Sequence, residues 1–161
     1  MTTKTKIILG GFGLLLIAFV ILLVARFNFV HRPTTEIVVG QPPLNTKVLT
    51  VGQTSITVEM ADTETTRAQG LSGRRGLADH TGMLFVFDKP GFYGFWMKDM
   101  KFSLDMIWID ENWKVVDITK NASPKSFPGT YMSSEPVKYV LEVPAGFTEQ
   151  NNIKIGDVFI N

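Results

Sequence analysis

The first feature of the chain is an unbroken apolar run, Ile7 to Val24, 18 residues without a charge. At the helical rise of 1.5 Å per residue such a run covers about 27 Å, close to the hydrocarbon thickness of a bilayer. It predicts a membrane-spanning helix over residues 7–25. Gly10, Gly11 and Gly13 would weaken a helix in water, but membrane helices carry more glycine than soluble ones. Two other readings compete with an uncleaved signal anchor. A cleaved signal peptide needs a shorter apolar core and an A-x-A-like site, and only Ala25 is suitable here. An ordinary buried helix is the third.

Beyond the run the pattern changes twice. Residues 26–45, with Pro33, Pro42 and Pro43 and little periodicity, read as an extended linker. From residue 46 to 161 apolar alternation takes over, as in a half-buried strand: Ile56, Val58 and Met60 fall on one face, Ser55, Thr57 and Glu59 on the other. Lys47 to Val51 and this strand form a hairpin about Gly52-Gln53. Asp62-Thr63-Glu64 starts a short helix that ends at Gly70. Met83 to Phe87 is apolar at every position and bounded by Gly82 and Asp88-Lys89-Pro90-Gly91, the pattern of a central strand covered on both faces. Further strands are expected over Phe92–Met97, Leu104–Ile109, Lys114–Thr119, Tyr139–Val143 and Val158–Ile160, with a helical turn over Thr148–Asn152. The fold class is therefore mostly β: a compact barrel or sandwich with one or two short helices, preceded by a transmembrane helix.

Charge adds orientation and excludes one class of partner. The amino terminus with Lys4 and Lys6 outweighs Arg26 and Arg32 slightly, which places residues 1–6 in the cytoplasm and the carboxy-terminal domain outside the cell membrane. From residue 46 onward 12 basic side chains stand against 14 acidic ones, the opposite of a phosphate-binding footprint, so no nucleic-acid partner is expected. The chain has no cysteine, which removes disulfide frameworks, thiol chemistry and zinc ribbons.

The densest unusual stretch runs from Phe95 to Asp110. Asp105 shares a strand face with Ile107 and Ile109, while Leu104, Met106 and Trp108 take the other. A carboxylate on such a face is costly unless it is given partners, and Arg67, Arg74, Arg75 and Lys98 are the expected cations; a buried ion pair and a ligand-facing cluster are both open readings. Arg74 and Arg75 lie in a glycine-rich loop that could present guanidinium groups to an anion, though it fits neither the phosphate-loop nor the nucleophile-elbow pattern. A Ser-His hydrolase would depend on His80 alone. Met83, Met97, Met100 and Met106 with His80 and Trp96 include soft ligands for a cuprous ion, but methionines at strand spacing are more often core. Asp99, Asp105 and Asp110 read as turn-shaping rather than metal-binding carboxylates. Trp96 beside Lys98 has the makings of an aromatic platform, or of simple packing.

Taken together, Ala61-Asp62-Thr63, Arg67-Ala68-Gln69-Gly70-Leu71, Gly73-Arg74, Gly82-Met83-Leu84-Phe85-Val86-Phe87, Phe95-Trp96-Met97-Lys98, Leu104 to Asp110, Tyr139 to Gly146 and Gly156-Asp157-Val158 resemble the family called domain of unknown function 192. The resemblance spans residues 46–161. It implies an exported or membrane-anchored protein and carries no activity. By resemblance the family's recurring polar and aromatic positions map onto Asp62, Arg67, Arg74, Trp96, Met97, Lys98 and Asp105. Three positions depart from the family: Glu64 for a helix-starting proline, Asp99 for asparagine, and Trp113 for a hairpin glycine.

The expectation is thus a single-pass, extracytoplasmic module that binds a small ligand or an envelope component without catalysis, using Arg67, Arg74, Trp96, Met97, Lys98 and Asp105, with no metal and no cofactor. Two alternatives stand beside it: a cell-envelope hydrolase with Asp105 as acid or base, and a purely structural interaction protein.

Overall fold

The computed structural model describes residues 45–161. The expected membrane helix over 7–25 and the stalk up to residue 44 lie outside the described residues, among which no helix is long and apolar enough to cross a membrane. The elements are β1 (Thr46–Val51), β2 (Thr54–Ala61), α1 (Glu64–Gln69), β3 (Thr81–Gly91), β4 (Phe95–Trp96), β5 (Leu104–Ile109), β6 (Val115–Ala122), β7 (Thr130–Tyr131), β8 (Val137–Pro144), α2 (Phe147–Gln150) and β9 (Phe159–Ile160), with a 3-10 turn at Pro124–Ser126. The mostly β expectation holds.

Seven strands form one sheet in the order β6-β5-β8-β3-β2-β1-β9. Its two ends meet at a bridge between Lys114 and Val158, where the Val115 amide donates to the Asp157 carbonyl at 2.8 Å and the Phe159 amide to the Trp113 carbonyl at 2.9 Å. The sheet therefore curls until it closes at one narrow seam. All its strand pairs are antiparallel except β2 with β3, which run parallel because α1 carries the chain across between them.

Curling divides the core in two. Leu49, Ile56, Val58, Leu84, Ile107, Ile109 and Leu141 fill the inside. Ala61, Met83, Phe85, Met106, Trp108 and Val140 line the outer face, where Leu71, Phe95 and Met97 cover them from the connecting segments. This double covering is why β5 is buried at all six positions and why Gly82 to Phe85 reads as a continuous apolar run. Gly82 is needed for the approach of β3 to β8, since a Cβ there would lie 2.5 Å from the Glu142 carbonyl oxygen.

Three sequence expectations need correction. β3 does not stop at Phe87 but continues to Gly91 through an irregularity after Val86, so Asp88-Lys89-Pro90 form a solvent-exposed extension. Phe92–Met97 contributes only the two residues of β4, which pair with β7, an element the pattern around Gly129 did not reveal. The second helical turn begins one residue early, at Phe147. Trp113 keeps its hairpin tight despite lacking the family's glycine: it takes φ +64°, its amide donates to the Asp110 carbonyl, and its ring stacks 4.0 Å from Tyr139. A left-handed residue of this kind costs about 1–2 kcal/mol, which the stacked pair helps to offset.

Candidate functional site

Asp105 is fully buried, and its partners are not cations. One oxygen accepts from the Asn121 amide at 2.9 Å and the Gly146 amide at 3.1 Å; the other accepts from the Thr148 amide at 3.0 Å and the Thr148 hydroxyl at 2.6 Å. The expected ion pair with Arg67, Arg74, Arg75 or Lys98 is corrected by this geometry. Three backbone amides and one hydroxyl serve the carboxylate, supplying directed hydrogen bonds without desolvating a second charge. The acid sits at the end of the sheet interior and ties the first turn of α2 and the residue after Lys120 to β5. Among the described residues it has no exposed surface and does not line the cavity between α1, β3 and β4, so the hydrolase role considered for it has no route to a substrate there.

The other expected residues are dispersed. Arg74 forms a two-pronged ion pair with Glu59 on β2, both bonds 2.6 Å, and this pairing raises the guanidinium pKa further against the lowering effect of burial. Lys98 is exposed, and its carbonyl accepts from the Ser72 hydroxyl at 3.1 Å. Met97 is buried in the outer core with Met83 and Met106. His80 packs edge-on against Phe147, on the other cluster. Among the described residues no group of three His, Cys, Asp or Glu side chains is arranged to hold a metal ion. Asp110 accepts from the Asn112 and Lys114 amides, the turn-shaping role expected of it.

Two expected residues, Arg67 and Trp96, do meet at one place. α1 lies over the outer face of the sheet, capped by Thr63, whose hydroxyl accepts from the Thr66 amide while the Thr66 hydroxyl accepts from the Thr63 amide. Its end at Gly70, with φ +49°, lies so close to Phe85 that a Cβ there would stand 3.3 Å from the ring. Arg67 fastens the helix down: its Nη1 donates at 2.8 Å to both the Asp62 and Val86 carbonyls, and its guanidinium lies 5.4 Å from the Phe87 ring centre. Asp62 thus takes part through its backbone.

Between α1, β3 and β4 lies an open cavity of about 380 Å³. Phe85 and Phe87 form one wall, Tyr93, Phe95 and Trp96 another, and Glu64, Arg67 and Ala68 the helical side. The rings brace one another: Phe87 stacks on Tyr93 at 3.5 Å, and Phe95 meets Phe85 edge-on at 4.8 Å. Trp96 is 58% exposed and leans towards Phe127.

The cavity also reaches a residue that sequence reasoning missed, Glu142. In mid-sheet, with Met83 beside it on β3 and Met106 on β5, its carboxyl has apolar cross-strand neighbours on both sides. It is 5% exposed, and the salt bridge found among the described residues, Arg74 with Glu59, does not involve it. Burial pushes its carboxyl up to about 8, so at neutral pH it is mostly a neutral acid able to donate a hydrogen bond into the cavity. Its signal was present in Tyr139-Val140-Leu141-Glu142-Val143: an acid interrupting a strand that is otherwise apolar on both faces.

Asp105→Asn places an amide NH2 against the Thr148 amide, donor facing donor, and is expected to lower stability by about 1–3 kcal/mol. Urea unfolding of the variant measures this; an unchanged midpoint would mean that the four hydrogen bonds do not hold α2 and the end of β6 in place.

The comparisons agree with this architecture. A proposed transcription regulator from Sinorhizobium meliloti is 33% identical in sequence and superposes with a TM-score of 0.71, over 75% of this chain and 97% of that one. A protein of unknown function from Novosphingobium aromaticivorans is 30% identical with the same TM-score, over 81% and 93%. No curated protein matches. The profile of DUF192, described as an uncharacterized ACR, matches residues 47–160, and with nearly the whole described domain inside that match the chain belongs to the DUF192 family.

Proposed function

We propose that the domain is a non-catalytic ligand-binding module, held outside the cytoplasmic membrane by the apolar segment 7–25, and that its ligand is a small ring-bearing molecule seated against Arg67, Phe87, Trp96 and Glu142. The observation that carries this reading is the cavity itself. Its aromatic walls are already packed against one another, so a ligand meets a preformed surface, and the buried acid at its inner end supplies one directed polar contact. Arg67 and Trp96 remain in the proposed site. Asp105 and Met97 act in the frame behind it, and Arg74 and Lys98 hold the loop beside it through Glu59 and Ser72.

Catalysis is not part of the proposal, because Asp105 has no access to the cavity and no nucleophile with an adjacent base lines it. Regulation of transcription, proposed for the Sinorhizobium relative, is not carried over to this chain. Its 14 acidic against 12 basic side chains beyond residue 45 do not provide the positive surface that DNA binding requires.

The binding reading is tested on full-length protein in a non-ionic detergent, with a set of neutral, cationic and anionic single-ring compounds followed by backbone NMR. Shifts are expected to cluster on the amides of Ala68, Gly70 and Gly94, and Ala68→Trp, which fills the cavity from the exposed side of α1, is expected to abolish them. Shifts elsewhere, or none, contradict the reading. The membrane reading is tested separately by protease added to intact spheroplasts: cleavage of residues 46–161 is expected, and a fully protected domain would place it on the other side.

A further inference from the structure

Glu142 and the rings before it define more than a generic pocket. A carboxyl group on an interior strand of a doubly covered sheet, only 5% exposed, lines the aromatic cavity. The charged and titratable groups lining that cavity are Glu64 and Arg67 from α1, Tyr93 from the segment before β4, and Glu142 from β8; no lysine or histidine lines it. Arg67 is committed to the Asp62 and Val86 carbonyls and to the face of Phe87. With Glu142 ionised, the lining carries two negative charges and one positive, an excess of one negative charge. Phe87 is already engaged with Arg67 and Tyr93, and the remaining rings Phe85, Phe95 and Trp96 favour a cation, whose charge is attracted to ring faces as well as to the carboxylate.

Resting on the ligand-binding reading above, we propose that the cavity takes an organic primary ammonium ion, in exchange for the proton on Glu142. The entering N–H groups donate to the carboxylate, the ring or chain of the ligand packs against Phe85, Phe95 and Trp96, and the displaced proton leaves to solvent. The balance is one cation in and one proton out, with no covalent bond formed. An ammonium ion is already protonated at neutral pH, so the released proton comes from the protein.

The sign of the pH dependence follows. Below the raised carboxyl pKa of about 8, the cation must displace a bound proton, so affinity rises by about tenfold per pH unit as pH increases; above it the carboxylate is already free and affinity levels off. A neutral ligand that only accepts a hydrogen bond from the acid behaves in the opposite way, weakening as Glu142 ionises.

The experiment uses the full-length protein in non-ionic detergent, with benzylammonium and its neutral counterpart benzyl alcohol as probes. Titration calorimetry in two buffers of different ionisation enthalpy gives the proton count. Benzylammonium is expected to bind with about 0.9 proton released at pH 7, and about tenfold more weakly at pH 6 than at pH 7. Glu142→Gln, which resembles the neutral acid, is expected to lose at least about tenfold in benzylammonium affinity and to release no proton on binding, while its circular dichroism stays unchanged. Equal binding of both probes without proton release overturns the ammonium exchange and leaves the ligand-binding reading in place. No binding of either probe, with no shifts at Ala68, Gly70 or Gly94, overturns both.

Discussion

A carboxyl group in a sheet covered on both faces is costly unless its polar atoms are satisfied, and this fold buries two such groups on neighbouring strands. Asp105 on β5 pairs in register with Val143, and Met106, the next residue, pairs with Glu142. Successive residues face opposite ways, so one acid enters the inner core and the other the outer. The inner acid is surrounded by four donors that serve its charged form. The outer acid has apolar strand neighbours and a cavity. The same burial therefore produces a structural fastener in one case and a chemically adjustable group in the other.

The second arrangement costs stability. Burial pushes the Glu142 carboxyl up to about 8 in the fold, against an ordinary value of 4.5. Between those two values the folded chain holds a proton that the unfolded chain has released, so stability falls as pH rises, by about 1.4 kcal/mol for each unit, and levels off above the folded value. A hydrophobic residue at this position would avoid that loss. Retaining an acid in mid-sheet, at the inner end of the aromatic cavity, is consistent with use of the group by a ligand, as catalytic and binding sites commonly keep such groups at the expense of stability.

Much of this was legible in the sequence. The β1–β2 hairpin followed from alternation and Gly52-Gln53, and the opposed faces of β5 followed from Leu104 to Ile109, where Asp105, Ile107 and Ile109 do share the inner face. The need to satisfy Asp105 was legible as well; the identity of its partners was not. Backbone amides carry no sequence signature, and the Gly146 and Thr148 donors come from 41 and 43 residues away. For the same reason Arg74 met Glu59 rather than Asp105, a choice made by the sheet register and the loop path. Arg67 and Trp96 were recognised but not their meeting place, since the cavity arises from α1 crossing β3 and from the pairing of β4 with β7. Glu142 stood in plain view within an apolar strand, but its neighbours Met83 and Met106 lie on strands that only long-range pairing brings together.

The central claim is that Glu142 is a buried, mainly neutral acid at neutral pH. It is tested most directly by following the carboxyl carbon of Glu142 by 13C NMR in full-length protein labelled at glutamate, assigned by comparison with Glu142→Gln. A titration midpoint near 8 is expected, far from the ordinary 4.5. A midpoint close to 4.5 would show the carboxyl to be hydrated or paired, and the account of the cavity built on it would fail.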